Sequence, residues 1–369
     1  MTAQKALVES KCFFVLPFPP FIDKFGRAWY NKEKGAARTQ ISNRKGINTM
    51  KKSCSLLLAF AMLFSLGLCL LTGCDSGGGP VTPPDGGDEC PTCGKDPCEC
   101  PTDTARYVDL FLFIGQSNMA GRGDASVATK VAEGHAYEFR AISDPTKLYH
   151  LEEPFGVNEN NAESGITETT KTGSMVSSFC EAYYAATNTP IVGVSCSKGG
   201  QVISVFDPDG KAYADAVARV KSAKDFIAAE YENGNSDIKI KNTYVVWLQG
   251  ESDGDNGTTA ADYTATLDRI VKGFKQDIGA AQTFIIPIGV YNGKDDARNE
   301  RYTAIREAQQ AYCEGNADAT VVSNLLVDFL EYGFMKDQFH FTQEGYELFG
   351  NDAGTNAAHF VKTGEKPAC

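Results

Sequence analysis

The residues able to do covalent chemistry fall into four short segments of this sequence. Ser117 stands in Gly115-Gln116-Ser117-Asn118-Met119, directly after an apolar run. A serine at a glycine-flanked strand exit can present its hydroxyl while its own N–H faces a developing oxyanion. His340 is one of only four histidines, so few residues compete for the role of base. An imidazole titrates near neutrality and can take a serine proton. Asp337 lies three residues before it, close enough on one turn to reach Nδ1 and leave Nε2 free. Gly199-Gly200 lets a backbone N–H approach a ligand closely. Gln249 can donate its amide to an oxyanion, and Glu251 can bind sugar hydroxyls or orient a neighbour. Each has a blander reading: a turn serine or helix cap, an incidental histidine, a plain glycine turn, a carboxylate at a wet sheet edge.

Four such segments can act together only if strands and helices bring them to one rim. Five short β-branched or aromatic runs, at 107–114, 191–195, 243–248, 284–290 and 319–322, read as strands. Helical spacing recurs at 174–186, 212–231, 260–276, 301–313 and 342–361. This alternation predicts an α/β fold, with a parallel sheet of about five strands covered by helices on both faces. In such sheets ligands sit at the carboxyl ends of the strands, where the first three segments fall. The stretch 123–172 is polar, acidic and loop-like, and is expected to shape access to Ser117.

Taken in order, the motifs GQSNMAG (115–121), SKGGQVI (197–203), WLQGESD (247–253) and DQFHFTQEGYELFG (337–350) resemble the SGNH hydrolase superfamily. They look most like its sialate O-acetylesterase-like and carbohydrate esterase family six branch. That resemblance implies a three-layer α/β/α sandwich. It also implies Ser117 as nucleophile, His340 as base and Asp337 as its orienter. The oxyanion hole would comprise the N–H of Ser117, that of Gly199 or Gly200, and the Gln249 side chain. Glu251 stands second as an alternative acidic partner, and Gln116 and Asn118 are candidates for contacting substrate. Lys198, Gln201 and Leu248 depart from common family patterns and bear on substrate preference. The implied reaction removes a short acyl group, most simply acetyl, from a carbohydrate hydroxyl, with no metal or cofactor. Acetylated xylan or a related plant polysaccharide is the first expected substrate and O-acetylated sialic acid the second. A catalytically inert glycan-binding protein and a long-chain lipase or thioesterase are the competing classes.

Composition agrees with a globular domain and narrows its partners. Asp plus Glu outnumber Lys plus Arg by 47 to 35 in 369 residues, for a net charge of -12. The distribution is uneven: +6 over 1–49, +2 over 50–73 and -20 over 74–369. So acidic a chain argues against nucleic acid or anionic lipid as a non-specific partner. Met50-Lys51-Lys52, the apolar run LLLAFAMLFSLGLCLL at 56–71 and Thr72-Gly73-Cys74 describe a secretory signal ending in a lipobox-like cysteine. Cys74 is therefore the expected lipidation site, with a single membrane-spanning helix or plain secretion as alternatives. Residues 1–49 read as a doubtful extension ahead of a natural start at Met50. Residues 74–104 read as a Gly/Pro-rich tether and 105–369 as the esterase domain. The tether carries Cys90, Cys93, Cys98 and Cys100, read as local disulfides in preference to zinc. Cys180, Cys196, Cys313 and Cys369 are either disulfide partners or, for Cys180 and Cys196, buried thiols.

Overall fold

The computed structural model describes residues 104–162 and 165–368. The expected extension, signal, tether up to residue 103 and Cys74 lie outside them, as do Cys90, Cys93, Cys98, Cys100 and Cys369.

The first strand, β1 (Arg106–Gly115), is buried on both faces over its last eight residues. Alternate side chains therefore serve two different cores. Phe111 and Phe113 point to one side, where they meet Phe179 at 5.5 and 5.4 Å between ring centroids. Leu110, Leu112 and Ile114 belong to the opposite core, with Val220, Ala223, Leu267, Ile270 and Ile305. One helical layer is thus α2 (Val176–Thr187) with α7 (Gln343–Thr363). The other holds α3 (Lys211–Glu232), α5 (Ala260–Ile278) and α6 (Asp296–Gly315). These layers enclose the sheet as a three-layer sandwich.

The remaining strands are β2 (Ala136–Phe139), β3 (Leu148–His150), β4 (Ile191–Ser197), β5 (Ile238–Leu248), β6 (Gln282–Ile285) and β7 (Ala319–Val321). Their order is β3-β2-β4-β1-β5-β6-β7. Every pairing is parallel except β2 with β3. The expected sheet of about five strands therefore has seven. The additional two, of four and three residues, lie within the stretch read as loop. Strands that short show too little alternation to be distinguished from polar loop. The run read as a strand over 284–290 ends at Ile285, just before Pro287, whose ring removes a ladder donor. The helix expected at 301 begins at Asp296, because the Asp295 side chain caps it by accepting from the Arg298 N–H at 3.0 Å. Cys180, Cys196 and Cys313 are free buried thiols.

Register places the site. Gly115 stands opposite Ser197 on one side and Leu248 on the other, so β4, β1 and β5 end level. Residues 116–118, 198–200 and 249–251 then leave the sheet along one rim. The fourth segment is delivered by α7, which lies tightly on α2. A Cβ at Gly350 would fall 2.5 Å from the Met175 carbonyl, and one at Gly354 2.3 Å from that of Phe179. Only glycine permits that approach.

Candidate active site

Ser117 opens a single helical turn, α1 (Ser117–Ala120), immediately beyond β1. The turn is forced close to β5: the Gln116 N–H donates to the Leu248 carbonyl at 3.1 Å, and a Cβ on Gly115 would lie 2.0 Å from that oxygen. Ser117 is 9% exposed, so its side chain is nearly buried rather than carried on a projecting loop. Facing it is the turn before α7, pinned by a bridge between Met335 and Phe341 and by the Thr342 side chain capping Gly345.

His340 Nε2 lies 3.0 Å from Ser117 Oγ, and His340 Nδ1 lies 2.9 Å from Asp337 Oδ2. The other Asp337 oxygen accepts the N–H groups of Phe339 and His340, both at 2.8 Å. Burial opposes ionisation of this carboxyl, yet those amides and the imidazole hold it below the usual range. An ionised Asp337 fixes the proton on Nδ1 and leaves the Nε2 lone pair toward Ser117. Such an arrangement can move a proton from hydroxyl to imidazole.

The neighbours of Ser117 face inward, contrary to the expectation that they contact substrate. Gln116 Oε1 accepts from the N–H groups of Gly250 and Ser252, each at 3.3 Å, closing the turn between β5 and α4 (Glu251–Asn256). Asn118 is fully buried and uses both ends of its amide. Its Nδ2 donates to Glu251 Oε1 at 2.5 Å and to the Phe339 carbonyl at 3.0 Å; its Oδ1 accepts from the Tyr346 hydroxyl at 2.8 Å.

Gln249 also departs from expectation. Its side chain has no exposure, and its amide donates to Asp253 Oδ2 and to the Gln201 carbonyl at 3.0 Å. Both hydrogens are thus used inside the protein, and none is left for an oxyanion. Glu251 is buried, bonded to Asn118 and not to the imidazole, whose Nδ1 is held by Asp337. Its Oε2 has no partner among the described residues. Burial pushes its pKa up to about 7, against the lowering effect of the Asn118 bond.

The glycine pair resolves into two different amides. The Gly199 N–H donates to Glu168 Oε2 at 2.8 Å. Gly200 is exposed, has φ +68°, and has empty space where a Cβ would stand. Its N–H has no acceptor among the hydrogen bonds of the described residues. Lys198 turns away to the Gly165 carbonyl at 2.5 Å, while the Gln201 amide returns to that of Gly199 at 3.1 Å. Leu248 is buried at the end of β5.

Glu168, Arg122 and Tyr346 escaped the sequence reading. Glu168 comes from the stretch 123–172, whose described residues are bonded to α3 and paired with β4. Within it, the Ile166 N–H donates to Asp215 Oδ2 at 3.0 Å, and the Arg219 guanidinium reaches the carbonyls of Glu159 and Ser195 at 3.0 and 2.9 Å. Asp215 and Arg219 are themselves a buried pair at 3.0 Å. Lys171, pushed down to about 8 by burial, donates to the Gly156 carbonyl at 2.6 Å.

Comparison with known proteins gives this geometry a context. The family model for carbohydrate esterases of the sialic acid-specific acetylesterase type matches residues 107–359. A probable carbohydrate esterase of Arabidopsis thaliana is 23% identical over 256 residues, which cover 65% of this chain and 86% of that protein. An X-ray structure of an Arabidopsis thaliana protein aligns with TM-score 0.46 and 20% identity, over 68% of this chain and 97% of that one. The crystal structure of a carbohydrate acetylesterase from Xanthomonas citri aligns with TM-score 0.46 and 18% identity, over 70% of this chain and 57% of that one. With the family match running from β1 into α7, the chain belongs to the sialic acid-specific acetylesterase family of carbohydrate esterases and is a carbohydrate acetylesterase.

Proposed function

We propose that the enzyme removes acetyl groups from an O-acetylated polysaccharide through an acyl-enzyme formed on Ser117. The observation that carries this reading is the continuous line Asp337–His340–Ser117, with its two links of 2.9 and 3.0 Å. His340 Nε2 takes the Ser117 proton as Oγ attacks the acetyl carbonyl. The oxyanion is held by the N–H groups of Ser117 and Gly200. His340 returns the proton to the sugar oxygen as the C–O bond breaks; a water, deprotonated in turn by His340, then attacks the acyl carbon, the Ser117 Oγ–C bond breaks, Ser117 recovers its proton from His340 and acetate leaves. Asp337 keeps the tautomer and stabilises the imidazolium throughout. No step draws on a metal or cofactor.

A neutral glycan such as acetylated xylan is the favoured substrate over an acetylated sialic acid. Arg122, the guanidinium beside the Gly199 turn, is already committed to Glu168 at 2.9 Å and to the carbonyls of Gly121 and Thr170. A sugar carboxylate would have to compete for it.

The leader pattern at 50–74 supports export and lipidation at Cys74, which would hold the domain outside the cytoplasm on a flexible tether. A tethered esterase suits polymers too large to import. Incorporation of labelled fatty acid, lost in Cys74→Ala, tests the anchor.

The test of the activity is hydrolysis of p-nitrophenyl acetate with chelator present, beside Ser117→Ala. Turnover that survives chelator and vanishes in the variant supports the reading. A folded wild-type protein no more active than the variant, on model ester and acetylated sugars alike, would make it a binding module.

A further inference from the structure

One carboxylate stands where an ester hydrolase should least tolerate it. Glu168 Oε2 accepts the Gly199 N–H at 2.8 Å, one residue from the amide assigned above to the oxyanion. Glu168 Oε1 accepts the Thr170 N–H at 2.9 Å. The side chain is nearly buried, at 8% exposure, which favours the neutral acid. The amides of Thr170 and Gly199 and the charge of Arg122 outweigh that, and the carboxyl is held below its usual range. It is therefore a carboxylate at neutral pH. Arg122 Nη2 meets the same oxygen that Gly199 uses, at 2.9 Å. The guanidinium is fixed from its other side, Nη1 donating to the Thr170 carbonyl at 2.6 Å and the Gly121 carbonyl at 3.2 Å.

We propose that Glu168 and Arg122 form a neutral positioning pair for the oxyanion turn, in which Glu168 captures the Gly199 N–H so that Gly200 alone presents its amide, and Arg122 cancels the carboxylate charge. This rests on the oxyanion assignment made under Proposed function. Consecutive glycines can turn either amide toward a ligand, and a turn free to choose would have to be ordered in the transition state. An acceptor on Gly199 removes that choice beforehand. A lone carboxylate there would repel the developing oxyanion through a poorly screened medium. With Arg122 on the same oxygen, the pair adds no net charge. Both residues act through the backbone turn and neither touches the reacting atoms. Arg122 follows Gly121, just beyond the Ser117 turn, so the pair also ties the oxyanion turn to the nucleophile turn.

The test is a charge cycle on p-nitrophenyl acetate, with each variant checked for folding by thermal unfolding. Arg122→Met leaves the carboxylate bare and is expected to lower kcat by roughly 10- to 100-fold, with KM within about threefold. Glu168→Gln keeps an acceptor for Gly199 and is expected to lose less than about tenfold. The double variant is expected to be more active than Arg122→Met alone, because the opposing charge is gone. A merely structural pair would give additive losses, and additivity overturns the proposal. If Arg122→Met does not fold, Arg122→Lys, which keeps the charge, is compared with Arg122→Gln, which does not. Equal activity of those two overturns it as well. A readout independent of turnover separates this proposal from the esterase reading. Amide exchange is expected to be slower at Gly199 than at Gly200, and the difference to disappear in Glu168→Ala. Equally fast exchange at both glycines in the wild-type protein contradicts the capture whatever the activity.

Discussion

Asn118 Nδ2 donates to the carbonyl of Phe339 across 3.0 Å, joining the residue after Ser117 to the residue before His340. The distance between hydroxyl and imidazole is thus set by one buried amide as well as by the two loops. The same amide is held by Glu251 and Tyr346, from α4 and α7 respectively. Removing it takes a donor from a carbonyl and from a carboxyl oxygen, and an acceptor from a hydroxyl. Each such loss costs ~1–3 kcal/mol when buried. Asn118→Ala is expected to lower unfolding stability by at least ~2 kcal/mol in urea titrations and to reduce kcat more than it raises KM. An unchanged kcat would mean that the loops hold the pair unaided.

The two acidic candidates make opposite predictions. Asp337 bonds His340 Nδ1, whereas Glu251 bonds only Asn118 among the described side chains. Asp337→Asn is expected to reduce kcat by a factor on the order of 10³–10⁴, since the amide no longer fixes the tautomer or stabilises the imidazolium. Glu251→Gln keeps a carbonyl oxygen for Asn118 and is expected to retain most activity. A larger loss in Glu251→Gln than in Asp337→Asn would reverse the assignment.

Glu251 should mark the pH dependence of stability. Its pKa is raised from 4.5 to about 7 by burial, with Asp253 and Asp255 adding like charge. The folded protein therefore holds the proton more tightly than the unfolded chain does. Stability from this group is full below the unfolded value near 4.5 and is lost as pH rises to and beyond about 7. The full swing is of order 3 kcal/mol. The unfolding free energy measured from pH 5 to 8 is expected to fall more steeply for the wild-type protein than for Glu251→Gln. Parallel curves would show that Glu251 is already ionised in the fold.

Gly115 tests how closely the Ser117 turn must approach β5. A Cβ there would stand 2.0 Å from the Leu248 carbonyl oxygen, which is backbone and cannot step aside alone. Gly115→Ala is expected to shift the turn, lower the melting temperature and reduce kcat by ~100-fold or more, since small displacements of reacting groups are costly. Near-wild-type turnover would contradict the register argument for the rim.

Much of this site was legible because its parts are local. Asp337 and His340 share one turn, and Ser117 follows a strand whose apolar run marks it clearly. The sheet's centre read correctly for the same reason: strands buried on both faces are continuous apolar segments. What escaped depends on distance along the chain or on competition for a donor. Glu168 is 31 residues from Gly199 in sequence and lies in a polar stretch without periodicity. That stretch pairs with β4 through β2 and bonds to α3 at Ile166, two residues before Glu168. Gln249 carries a donor of the right kind, but its type does not reveal that Asp253, four residues on, already claims it. Nor does a Gly-Gly pair tell which amide is engaged. The acceptor decides, and it comes from elsewhere.

Deacetylation of a carbohydrate by Ser117, His340 and Asp337 is tested most directly by acetate release from acetylated xylan, followed by nuclear magnetic resonance, for the wild-type domain beside Ser117→Ala. Steady release by the wild-type protein is expected, with none above background in the variant. Equal release by both, or none by a folded wild-type protein on this and other acetylated sugars, would contradict it.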